Sequence, residues 1–130
     1  MTTQTLMGIA LAGALGAMGR YAVHIWATRA WGDRFPWGTL LVNVVGCLLL
    51  GFVVELVLRS SWSNAWIRVF VPVGLLGGFT TFSTFSYETL LHAHAGHWNV
   101  VGWNIVANLG LGLAATALGF GLARALTATP

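Results

Sequence analysis

The sequence contains no lysine, only three carboxylates and a single cysteine. Charged residues make up 7% of it, where a water-soluble domain carries about 25%. That scarcity excludes an ordinary soluble globule. The missing lysine removes any phosphate-binding loop of the GxxxxGK[ST] type, and nucleotide-driven transport with it. The carboxylates are Asp33, Glu55 and Glu88. Asp33 lies in a short polar stretch, and each glutamate falls near the end of an apolar run, so none sits at mid-membrane. Proton-coupled cation export needs a carboxylate there. A small four-helix multidrug exporter would carry one in its first span, where this chain has Arg20 and no acid. Cys47, alone, excludes an intrachain disulfide and reads as a small packing residue. The basic residues are six arginines, scattered singly, and they give a net charge of +3. Without a basic patch they indicate membrane flanks rather than a nucleic-acid partner.

What the chain has in quantity is apolar length. Hydrophobic residues make up 57% of it. Four spans stand out, at about Leu6 to Trp26, Trp37 to Leu58, Trp66 to Leu91 and Trp98 to Ala123. Each reaches the roughly 20 residues that cross a hydrocarbon core about 30 Å thick. Tryptophans mark their ends: Trp26, Trp31, Trp37, Trp62, Trp66, Trp98 and Trp103 form an aromatic belt. The first span lacks a basic leader and is longer than a signal-peptide core, so it is expected to remain a span. The expected architecture is all-α, a single four-helix transmembrane domain over residues 1–130, multi-pass in the cell (inner or plasma) membrane. The connections are short. WGDRFP (31–36) is a turn, RSSWSN (59–64) offers Ser63 and Asn64 as helix caps, and HAHAGH (92–97) is expected to be a loop. Small residues recur at four-residue spacing, as Gly8, Ala12 and Gly16, and again as Ala115, Gly119 and Ala123, which lets helices approach closely. Four helices of this length barely enclose a pore, so a homodimer is expected. Arg59, Arg68 and Arg124 fall on one side and Arg29 and Arg34 on the other. That near balance gives little orientation bias and is compatible with insertion both ways, as an antiparallel dimer.

One span changes character in its middle. In GLLGGFTTFSTFSYE (74–88), Gly77 and Gly78 precede six hydroxyl residues, Thr80, Thr81, Ser83, Thr84, Ser86 and Tyr87. Phe79, Phe82 and Phe85 are interleaved at spacings of three. Paired glycines cost a helix about 1 kcal/mol each relative to alanine. A freed backbone group at membrane depth persists only where it is buried in protein or lines a polar cavity. The spacing therefore predicts an interrupted third helix, unwound over Gly77 to Thr80. Exposed carbonyls there suit a small cation such as Na+. The Thr80, Ser83 and Thr84 hydroxyls and the Asn43 amide can donate to an anion. Phenyl rings such as Phe82 and Phe85 present a positive edge and a negative face, so edges toward a pore favour an anion and faces a cation. The two chemistries are consistent as an anion path built around a fixed structural cation.

Other polar positions are few. Thr39 and Asn43 share a helix face. Asn104, Asn108, Gly112 and Thr116 recur every four residues as a polar stripe on the fourth span. The asparagines are either interhelical ties or the lining of a cavity. Arg20 either snorkels to the interface or attracts anions at a pore mouth. His24, His92, His94 and His97 lack the facing arrangement of a haem anchor and the ligand spacing of a metal site.

GAMGRY (16–21), WGTLLVNVVGCLLLGF (37–52) and GLLGGFTTFSTFSYE (74–88) together resemble the fluoride channel family called Fluc or CrcB, over essentially the whole chain. The resemblance implies an antiparallel, dual-topology homodimer of four-helix subunits. It would contain two fluoride pores and a central Na+ held by carbonyls of the interrupted third helix, and would let fluoride leave the cytoplasm passively. It places the Na+ carbonyls at Gly77 and Thr80, the aromatic box at Phe82 and Phe85, and the pore asparagine at Asn43. Ser83 and Thr84 match the polar residues between the aromatics, Glu88 the following carboxylate and Arg20 the first-helix arginine. On the fourth helix the family uses a track of hydroxyls. Thr116 fits it, while Asn104, Asn108 and Gly112 depart from it, and Asn108 is carried as a pore residue on position. The expected activity is conduction, so no residue is offered as catalytic. The competing reading from another class is a membrane anchor subunit that transports nothing.

Overall fold

The computed structural model describes residues 2–59 and 68–128, and every regular element in them is helical. Helix α1 spans Thr3–Trp31, α2 Trp37–Arg59, α3 Phe70–Leu76, α4 Gly77–Phe79, α5 Phe82–His94 and α6 Trp98–Thr127. Helices α1, α2 and α6 are each long and apolar enough to cross a membrane. Ser63 and Asn64, Trp62 and Trp66 lie outside the described residues.

Local chemistry sets the ends. The Thr2 hydroxyl accepts from the Thr5 N–H at 3.3 Å and so caps α1. Gly32, at φ 78°, ends it in a conformation that favours glycine. Pro36 leads into α2, where its missing N–H costs nothing. Trp26, Trp31, Trp37 and Phe35 cluster around this turn, with centroids 4.7–5.7 Å apart. α1 and α6 extend several residues past the expected spans, because interfacial residues continue the helical hydrogen bonding. The expected loop over 92–97 is shorter than read. His92 and His94 belong to the last turn of α5, and the reversal is made by Gly96 at φ 74°.

The longest seam joins α2 to α6. It closes through main chain. A Cβ added at Gly119 would lie 2.1 Å from the Leu48 carbonyl oxygen, and one at Gly51 2.4 Å from that of Thr116. Helix α1 packs on α3, α4 and α2, and α5 packs on α6. A second close approach seats α4 on α1, where a Cβ at Gly78 would lie 2.5 Å from the Gly13 carbonyl oxygen. Glu55 joins α2 to α6 at the far end from the tryptophan cluster. It accepts from Arg59 Nε at 2.5 Å and Arg124 Nε at 2.8 Å, and Arg124 also stacks 4.2 Å above the Phe120 ring.

Between α2 and α6 the chain is segmented. Pro72 cannot donate to a preceding carbonyl, and α3 is wound wide, as a π-helix. Gly77 and Gly78 do not unwind. They are helical in α4, and the extended residues are Thr80 (φ −78°, ψ 160°) and Thr81 (φ −155°, ψ 111°). The glycines serve the approach to α1, and the opening falls downstream, where α2 supplies hydrogen-bond partners.

Candidate ion path

Asn43, on α2, holds the Thr80–Thr81 interruption. Its Oδ1 accepts from the Thr81 N–H at 2.9 Å, and its Nδ2 donates to the Thr81 carbonyl at 3.2 Å. One carboxamide thus satisfies both backbone groups of an extended residue, which would otherwise cost several kcal/mol each in hydrocarbon. The Thr81 hydroxyl then caps α5, accepting from the Thr84 N–H at 3.1 Å. It also bonds the Thr84 and Ser83 hydroxyls at 2.9 and 3.2 Å.

These bonds release two carbonyls. In an unbroken helix the Thr81 N–H would serve Gly77 and the Thr84 N–H would serve Thr80. Here those donors turn to Asn43 Oδ1 and Thr81 Oγ1. Gly77 and Thr80 are the two positions assigned to a carbonyl-bound cation, and Gly77 is exposed on the single chain. Both therefore fit that role in donor type and availability. Among the described residues no group of His, Cys, Asp and Glu forms a metal site.

Beside the interruption lies a cleft of about 290 Å³. Asn43, Thr80, Thr81, Phe82, Phe85, Asn108, Gly112 and Thr116 line it, with Cys47 and several leucines, and among the described residues no charged side chain does. Phe82 and Phe85 are neighbours with centroids 5.4 Å apart and rings inclined at 49°. They differ in burial, since Phe85 is 7% exposed and Phe82 73% exposed. The polar groups hold partners within the chain. Asn43 Nδ2 donates to Asn108 Oδ1 at 2.9 Å as well as to Thr81, so both its hydrogens are used. The Thr80 hydroxyl donates to the Leu76 carbonyl at 3.1 Å and that of Thr116 to the Gly112 carbonyl at 3.0 Å.

The cleft brings together Asn43, Phe82, Phe85, Asn108 and Thr116 of the expected ion-path residues, with Thr80 of the expected cation site. Ser83 and Thr84 stand at the cap behind it. Arg20 and Glu88 are not in its wall. Arg20 is half-buried on α1, one turn before His24. The Thr39 hydroxyl is bonded to His24 Nε2 at 3.2 Å. Oε2 of the Glu88 carboxyl is buried with no partner among the described residues. Thr81 and Cys47 are lining residues that spacing did not single out. Alignment of Cys47 with Asn43 one turn away was the available signal.

The family model described as CrcB-like protein, Camphor Resistance (CrcB), matches residues 7–120. The chain belongs to the CrcB family. The chain is 43% identical over 121 residues to the fluoride-specific ion channel FluC of Roseiflexus sp. (strain RS-1), covering 93% of this chain and 98% of that one. It is 44% identical over 118 residues to the FluC of Rhizobium etli (strain ATCC 51251), covering 91% and 94%. To the FluC of Clostridium perfringens (strain 13 / Type A) it is 42% identical over 118 residues, covering 91% and 92%. This CrcB-family chain is a multi-pass membrane protein, as its long apolar helices require.

Proposed function

We propose that the chain is the subunit of a passive, fluoride-selective ion channel that lowers cytoplasmic fluoride. The observation that carries this is the cleft itself. It is uncharged, walled by two phenyl rings and hydroxyls, and set where the backbone opens. Kinship with channels named for fluoride supplies the ion. The energetic task is to replace the shell of a tightly hydrated ion. Asn43 and Asn108 have committed their amide hydrogens, so they shape the path. The donors left are the ring edges of Phe82 and Phe85 and hydroxyls that exchange a backbone carbonyl for the anion. Such an exchange costs little, since a neutral hydrogen bond contributes about 0.5–1.5 kcal/mol net.

Two copies would complete the path, in an antiparallel, dual-topology homodimer with two pores in the cell membrane. The exposed Phe82 and Gly77 of the single chain support this, as does the near balance of arginines at its two ends. The released Gly77 and Thr80 carbonyls would hold a central Na+, which supplies fixed positive charge and cross-links the interruptions. The test is efflux from liposomes holding purified protein. Fluoride leaves on dissipation of the membrane potential and chloride, run alongside, stays. Equal rates for both ions, or none for fluoride, reject the reading.

A further inference from the structure

Asn104 was legible as part of a polar stripe, yet it is fully buried and absent from the cleft wall. Its bonds belong to a longer series. The Thr81 N–H donates to Asn43 Oδ1, Asn43 Nδ2 to Asn108 Oδ1 at 2.9 Å, and Asn108 Nδ2 to Asn104 Oδ1 at 2.8 Å. Asn104 Nδ2 donates to Thr89 Oγ1 at 2.9 Å, and Thr89 Oγ1 to the Phe85 carbonyl at 2.6 Å. Each carboxamide accepts on one side and donates on the other, so the series has a direction. It starts at a backbone N–H, which can only donate, and ends at a carbonyl, which can only accept. Turning one amide over would set oxygen against oxygen and NH2 against NH2. No member can flip alone, and the backbone ends forbid flipping all together.

Both ends lie in the first turn of α5, at the cap Thr81 and at Phe85. The series leaves α5, passes through α2 and α6, and returns. We propose that Asn104 is a positioning residue for conduction. From outside the cleft it fixes the amide orientations of Asn108 and Asn43, and with Thr89 it fixes the Phe85 end of the aromatic pair. The proposal rests on the channel reading, because its consequence is expressed as ion flux.

The test uses Asn104→Leu and Thr89→Val, which keep volume and remove donors, their double variant, and Thr89→Ser, which keeps the hydroxyl. In liposomes each of the first two lowers fluoride flux about tenfold or more. The double is no lower than the worse single, since contacts in one network are not additive. Thr89→Ser stays within about threefold of wild type. The second readout needs no transport. Backbone hydrogen exchange at Thr81 quickens in Asn104→Leu and Thr89→Val alike and stays at wild type in Thr89→Ser. If Asn104→Leu fails to fold, the Thr89 pair decides on both readouts. Unchanged Thr81 exchange, or a double variant whose loss is the product of the two singles, overturns the proposal. A wild type that passes no fluoride overturns the channel reading instead and leaves the exchange result to judge Asn104.

Discussion

Gly46, one turn beyond Asn43 on α2, is the position where one methyl group tests the path most directly. A Cβ added there would lie 2.2 Å from Thr80 Cγ2, with the Phe79 ring next at 3.5 Å. Carbon atoms pack at about 3.5–4.0 Å, so Gly46→Ala demands a displacement of about 1.5 Å. Thr80 has little freedom to give way. Its branched side chain is stiff, and its hydroxyl is tied to the Leu76 carbonyl. Either that bond breaks or the extended segment moves off Asn43, whose bond to the Thr81 carbonyl is already 3.2 Å long. Overpacking of this kind costs about 1–3 kcal/mol. At 1.4 kcal/mol per factor of ten, that is about 5- to 150-fold in the population of the seated interruption. Fluoride flux from liposomes should fall within that range, with the assembled protein still eluting as wild type on size exclusion. Thr80→Ser removes Cγ2 and keeps the tied oxygen, so Gly46→Ala with Thr80→Ser should recover most of the flux. Full flux in Gly46→Ala, or a double variant as impaired as the single, would refute the claim that Thr80 is held by contact with α2.

Other expectations follow from the same geometry. Phe82→Ile and Phe85→Ile each remove a ring edge and should cut fluoride efflux at least about tenfold while the dimer remains assembled, with Phe85→Ile also lowering thermal stability because that ring is buried. Exchanging Na+ for a large organic cation during purification and assay should reduce fluoride flux without unfolding the protein, as followed by circular dichroism. Glu55→Gln weakens the tie to Arg59 and Arg124 and should lower the thermal midpoint while leaving efflux near wild type, since that cluster is remote from the cleft lining.

The spans were legible because tryptophan and glycine punctuate apolar runs, and the hydroxyl and phenylalanine stretch announced itself by its cost in a bilayer. The place of the interruption was not legible. Local propensity points to Gly77 and Gly78, but the deciding partner is Asn43, distant in sequence, which pairs with Thr81. The glycines are spent on approach to α1, a tertiary demand that a helix-propensity scale does not register. The asparagine stripe was visible as a stripe. Its division into a residue that lines the cleft, Asn108, and one wholly behind it, Asn104, depends on how α6 is rotated against α2 and α5. Arg20 was a candidate for a pore mouth and was grouped with the path, as Glu88 was, through resemblance, and neither residue lines the cleft.

The main-chain contact between α2 and α6 governs which substitutions the protein can absorb. At Gly51 and Gly119 even a methyl group must wedge the rods apart, so these sites are closed to change. The opposite circumference of α6, where Trp103, Val106 and Leu113 are exposed on the single chain, makes no such backbone contact, so a change of side chain there displaces no neighbouring helix. Tolerance measured by saturation mutagenesis should therefore rise and fall around α6 with a period of about 3.6 residues, its minima marking the seam and its maxima the side turned away from it.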